Sequence, residues 1–302
     1  MSGTGKAELV LSTGSLYTLA LDRVFELASA TGYDGVELLV DWRLDSFEVP
    51  YLQRLSERWG IPISSVHTPF AERVDGWPET PEGRVERTVE LTEQLRARTV
   101  VAHTPERWHV ISLRSTFSQR VLRWVVPWPN GSGERYARWL QEELPALQRK
   151  TAVRIAVENM PARRVLGQRV AGYRFSRIED LERWPYLVLD TTHWGTWGMD
   201  PNEAYKALRE RIIHVHLSNY DGKEHRLPFS GRLKLEELLR RLREDAYSGI
   251  VAIELEPGAV GQGDWSDGHL REVLGEVAAR CRGLLGLPAS HSQSPCNTIA
   301  LS

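Results

Sequence analysis

Short apolar runs recur along the chain at intervals of one strand and one helix. Eight read as strands: Glu8–Ser12 (ELVLS), Gly35–Val40 (GVELLV), Pro62–His67 (PISSVH), Thr99–His103 (TVVAH), Ala152–Glu158 (AVRIAVE), Tyr186–Asp190 (YLVLD), Ile212–Leu217 (IIHVHL) and Gly249–Glu254 (GIVAIE). Their nearly unbroken Val, Ile and Leu content is what strands covered on both faces require. The segments between them carry helical periodicity, as in Leu21–Thr31, Gly83–Ala97, Glu134–Arg149, Pro201–Leu208 and Leu233–Arg243. Asp200 followed by Pro201 reads as an N-cap and a first-turn proline. Eight such alternations predict an α/β fold, either a closed (β/α)8 TIM barrel or a large open doubly wound sheet.

The polar residues favour the barrel. Glu37, His67, His103, Glu158, Asp190, His216 and Glu254 all stand in or at the end of a predicted strand. An open sheet offers one crevice at its switch point, so seven separated strand ends would not converge there. In a barrel they meet at the C-terminal mouth. Only the interval from His103 to Glu158 exceeds one βα unit. It holds an insertion, residues 105–133, rich in Trp108, Trp124, Trp128, Arg107, Arg114, Arg120 and Arg123. The sequence therefore predicts a single barrel domain over 1–287 with an insertion after the fourth strand. Residues 288–302 lose apolar periodicity and are expected to form a disordered tail. The insertion is expected to act as a lid or a subunit contact, which leaves room for a homo-oligomer.

Composition narrows the function classes. A chain of 302 residues is long enough for one barrel, and 41% hydrophobic with 26% charged residues excludes wholesale disorder. Lys+Arg 38 against Asp+Glu 40 gives a net charge of -2, so no global field draws the protein to nucleic acid or anionic lipid. No apolar run reaches the roughly 18 residues of a membrane helix, and the start MSGTGKAELV lacks a signal peptide's apolar core. A cytoplasmic protein with no membrane partner is expected. Cys281 and Cys296 support neither a disulfide framework nor a cysteine-based zinc site.

Glu158, Asp190, His216 and Glu254 supply three carboxylates and one imidazole from four different strands. Gathering that negative charge in one cavity is unfavourable without a cation. Oxygen donors with one nitrogen suit Mn2+, Mg2+ or Co2+, and Zn2+ if further histidines join. One divalent ion is expected, with room for a second. The loop Pro161–Arg177 carries Arg163, Arg164, Arg169, Arg174 and Arg177 over the same mouth. It reads either as a clamp for phosphate or carboxylate or as a solvated loop paired with Glu179 and Glu182.

The motifs SVHTPF (65–70), VVAHTP (100–105), IAVENMP (155–161), LVLDTTHWG (187–195), HVHLSN (214–219) and AIELEP (252–257) resemble the xylose-isomerase-like TIM barrel superfamily. The resemblance covers about residues 7–285. That superfamily includes sugar isomerases and epimerases, inosose dehydratases and the AP endonuclease family 2 enzymes of the endonuclease IV type. By resemblance to the epimerases, Glu158, Asp190, His216 and Glu254 hold the metal. Glu158 and Glu254 would also be the acid/base pair, and His193 would bind substrate. One departure is Arg164, where the tagatose-epimerase group has a second glutamate, which argues against free ketohexoses.

The endonuclease branch resembles the chain at His67, His103, Glu158, Asp190, His193, His216, His225 and Glu254. Its ninth zinc ligand, an aspartate, is replaced by Lys223. A complete trinuclear site is therefore not expected. His67, His103, His193, His225, Lys223, Arg164 and Glu37 are instead expected to contact substrate. The expectation is a metal-dependent isomerase or epimerase acting on a sugar, sugar phosphate or related polyol through an enediolate. The alternatives are a zinc-dependent AP-endonuclease-like phosphodiesterase and a metal-dependent sugar dehydratase on the same scaffold. A barrel turned to binding alone would have lost some of the four core ligands. Nucleic acid is not the expected partner; a small carbohydrate is.

Overall fold

A computed structural model describes residues 6–69, 74–114, 121–129 and 131–289, with backbone alone at 109–114 and 121–129. Eight parallel strands close into a barrel: β1 (Glu8–Ser12), β2 (Gly35–Leu39), β3 (Ile63–His67), β4 (Thr99–His103), β5 (Arg154–Glu158), β6 (Leu187–Asp190), β7 (Ile212–Leu217) and β8 (Ile250–Ile253). Each pairs with its neighbours in chain order, and β1 closes on β8 through Glu8↔Ile250 to Leu11↔Ile253. The eight predicted strands are these eight, so the closed (β/α)8 TIM barrel is the observed architecture.

Alternation along each strand separates two apolar layers. Leu9, Leu11, Val36, Leu38, Val66, Val157, Leu189, Val215 and Ile253 join the large cluster built with the surrounding helices. The residues between them form small separate clusters, Val10 with Ile250 and Ala252, and Val101 with Ala156 and Val188. These fill the barrel interior. Because side chains alternate every second residue, the next inward positions after Val101, Ala156, Val188 and Ala252 are His103, Glu158, Asp190 and Glu254. A floor of small apolar residues thus carries a polar layer at the C-terminal mouth.

Two expectations change. The helix expected over Glu134–Arg149 is split into Gly131–Glu142 and Leu144–Lys150. Pro145 explains the break, since it lacks an N–H and its ring opposes the carbonyl four residues before. The arginine-rich segment after β5, expected as a loop, contains an antiparallel hairpin, Ala162–Val165 with Gln168–Ala171. Its two-residue turn has Leu166 and Gly167 at φ 48° and 78°, the left-handed pair that matches hairpin twist.

The insertion after β4 contains a second hairpin, Trp108–Arg114 with Val121–Pro129. The side chains of Arg114, Arg120, Arg123, Trp124 and Trp128 lie outside the described residues, as does the tail from 290 onward. The backbone ties the start of the insertion to the segment after β5: Arg107 N–H donates to Gly172 O (2.9 Å) and Arg174 N–H to Pro105 O (2.8 Å). Among the described residues, no helix is long and apolar enough to cross a membrane.

Candidate metal centre

The four expected ligands converge. One ligand atom from each of Glu158, Asp190, His216 and Glu254 lies within 4.8 Å of all the others, and all four residues are buried. His216 Nδ1 is 2.9 Å from Glu158 Oε1, 3.1 Å from Glu254 Oε2 and 3.8 Å from Asp190 Oδ2. Each side chain arrives from a different strand end, as closure of the barrel dictates.

Asp190 is divided between two tasks. It caps the helix Thr191–Trp197, with Oδ1 accepting the His193 N–H at 2.7 Å. Its Oδ2 is buried without a hydrogen-bond partner among the described residues, while Glu158 Oε2 faces ring nitrogens of His103 and His67 and Glu254 Oε2 faces those of His216 and His225. Asn159 fixes the Asp190 backbone in both directions, donating from Nδ2 to its carbonyl (3.0 Å) and accepting its N–H at Oδ1 (2.8 Å). Three buried carboxylates gathered at one point are unfavourable unless a cation meets them. Glu158 Oε1, Glu254 Oε2 and Asp190 Oδ2 around His216 Nδ1 fit a divalent ion, and the oxygen-rich donor set suits a hard or borderline metal.

The electrostatics agree. Burial would raise the Glu158 carboxyl, yet His216 and the neighbouring histidines hold it well below the usual carboxylate range. Burial likewise opposes ionisation of Glu254, but His216 and His225 bring it down to about 2. Burial lowers His216, while Glu254, Glu37 and Glu158 together raise it well above the ordinary imidazole value. The neighbouring carboxylates thus favour the protonated form of His216, whose positive charge a metal ion would replace.

Further ligand-type groups surround the four. His67 and His103 approach Glu158 Oε2 at 3.6 and 3.1 Å, and their Nε2 atoms are 3.3 Å apart. His193 Nδ1 lies 3.6 Å from Asp190 Oδ2 and 2.8 Å from Asn159 O. His225 Nδ1 lies 3.8 Å from Glu254 Oε2 and 3.3 Å from Ser218 Oγ, on a backbone held at φ 56°. His67, His103 and Glu158 form one group able to hold an ion, and Asp190, His193 and His225 another.

Residues 25–273 match the family described as xylose isomerase-like TIM barrel. The chain belongs to that family. An uncharacterized protein of Mycobacterium tuberculosis is 28% identical over 292 residues, covering 87% of this chain and 94% of the relative. A D-tagatose 3-epimerase-like protein shares the fold with a TM-score of 0.59 at 21% identity, over 90% of this chain and 100% of that one. An AP endonuclease, family 2, from Brucella melitensis does so with a TM-score of 0.60 at 17% identity, over 91% and 98%.

Within this xylose isomerase-like barrel, the remaining sequence candidates separate by depth. Glu37 lies under the four candidate ligands: it is fully buried, accepts from Ser65 Oγ (3.0 Å) and faces both His214 and His216. Lys223 is exposed, with its backbone N–H bonded to Asp221 Oδ1. Arg164 is exposed on the hairpin, opposite Arg169. Sequence reasoning missed His214 and Glu224. His214 Nε2 is 3.0 Å from Glu37 Oε2, and the same inward face two residues before His216 was the signal for it. Glu224 Oε2 lies 3.9 Å from His193 Nε2, and no motif marked it.

Proposed function

We propose that the protein is a divalent-metal-dependent isomerase or epimerase of a sugar, sugar phosphate or related polyol, working through an enediolate. The convergence of Glu158, Asp190, His216 and Glu254 within 4.8 Å carries this reading. These four would hold the ion. Bound there, a divalent ion supplies Lewis-acid polarisation of a carbonyl and its neighbouring hydroxyl, which acidifies the C–H between them. Glu158 or Glu254 takes that proton, and either returns it to the same or the adjacent carbon. His67, His103, His193 and His225 line the approach and donate or accept hydrogen bonds with substrate hydroxyls.

The likeness to the tagatose-epimerase-like structure supports the chemistry at the level of fold. The test is turnover of a ketose and sugar-phosphate panel in D2O with added Mn2+. Deuterium should enter at the carbon beside the carbonyl, and Glu254→Gln should lower its rate by at least about 10²–10⁴-fold. An unchanged rate in that variant would remove Glu254 from the mechanism. A dehydratase would show the same exchange followed by loss of water.

A second reading, a zinc-dependent AP-endonuclease-like phosphodiesterase, is favoured by the two further ligand groups around His67 and His193. Against it, Lys223 stands exposed where that pattern needs an acidic ligand. Three zinc ions per chain with rapid incision of abasic-site DNA would establish it.

A further inference from the structure

A cavity of about 380 Å³ has Arg107, Arg174, Arg177, Ser176, Asp180 and Trp197 in its wall. All come from segments that follow the C-terminal ends of three consecutive strands, β4, β5 and β6, the ends that also carry His103, Glu158 and Asp190. Trp197 ends the helix capped by Asp190, seven residues on, which places it about 10 Å from that ligand. That is the reach of a sugar carrying a terminal substituent.

The charge balance of the cavity is positive. Asp180 is its one acidic wall residue, and Asp180 Oδ1 is also 3.5 Å from Arg183. Arg174 is held by Glu134 through one Nη at 2.9 Å, while its Nε is buried without a hydrogen-bond partner among the described residues. Arg107 packs its guanidinium on Trp108 at 5.2 Å. Two other arginines of the segment have partners of their own: Arg163 lies over Tyr173, a further wall residue, and bonds its hydroxyl, and Arg169 lies against Gly198. A single cavity with three arginines in its wall matches one terminal oxyanion better than a run of backbone phosphates.

We propose that this cavity receives the terminal phosphate or carboxylate of the substrate, so that the protein acts on anionic sugars rather than neutral ones. The inference rests on the isomerase or epimerase reading for its reaction, but not for its binding site. Its chemistry is therefore tested apart from turnover.

Full-length protein, treated with chelator so that no ion captures the probe, is titrated calorimetrically with inorganic phosphate and separately with acetate. The comparison is Arg107→Gln/Arg177→Gln, a pair of exposed side chains whose loss leaves the barrel core untouched. Binding roughly tenfold or more weaker in the double variant is expected, since each charge-assisted contact is worth that much. Either oxyanion bound through the arginines supports the assignment, and the tighter one names the source. Equal binding by wild type and variant, or none by either, overturns the proposal whatever the metal content. Normal oxyanion binding in a protein that takes up no Mn2+ would instead overturn the metal reading alone. In the metal-loaded enzyme, the KM for a phosphorylated ketose should rise in the variant more than kcat falls.

Discussion

Glu37 and His216 meet through both carboxylate oxygens: His216 Nε2 lies 3.2 Å from Oε1 and 3.3 Å from Oε2, and both side chains are fully buried. The opposite ring nitrogen, Nδ1, is the one that faces Glu158, Asp190 and Glu254. A proton on Nε2 shared with Glu37 leaves the Nδ1 lone pair for a metal and fixes the ring plane. Glu37→Gln should therefore weaken metal affinity by about 10–100-fold with the four ligands intact. Competition against a fluorescent chelator measures this; an unchanged Kd would reduce Glu37 to a packing residue.

Asp190→Asn separates the two tasks of Asp190. The amide keeps an oxygen for the His193 N–H, so the cap survives and stability should change by less than about 1 kcal/mol. The ligand charge at Oδ2 is lost, so metal uptake should fall sharply. A large drop in Tm of the metal-free variant, with affinity unchanged, would contradict this division.

Metal uptake should be coupled to proton release. In the metal-free protein burial lowers His216, but Glu254, Glu37 and Glu158 raise it well above 6.5, so at neutral pH it carries a proton that the ion must displace. The sign follows: apparent affinity increases with pH, by about tenfold per unit while one proton is displaced, and levels off above the raised value. Calorimetry in two buffers of different ionisation enthalpy counts the protons released. No release near neutral pH would show that the imidazole is already neutral.

The barrel strands were legible because burial on both faces leaves an unbroken apolar signature, and the site was legible because it sits where those runs end in Glu, Asp or His. The layer beneath was not. Glu37 shares its strand with apolar neighbours, and nothing in GVELLV says whether it reaches the mouth or the floor. Its partners His214 and His216 lie far along the chain and become neighbours only through barrel closure. The hairpin at 162–171 was hidden because its strands are four residues each and half polar, so their pairing depends on the Leu166–Gly167 turn. Pro145 alone signalled the split helix.

The floor under the site should resist enlargement. Ala156 is fully buried among Val101 and Val188, one inward position below Glu158. Ala156→Leu should destabilise the protein by about 1–3 kcal/mol, read from urea unfolding, and disturb metal binding along with it. A neutral effect would mean that the barrel interior is loosely filled.

Anomalous diffraction from crystals soaked in Mn2+ shows whether the four strand ends form one metal centre. A strong peak is expected about 2.0–2.3 Å from Glu158, Asp190, His216 Nδ1 and Glu254 together. A peak bound elsewhere, or none at those four residues under saturating Mn2+, would contradict it.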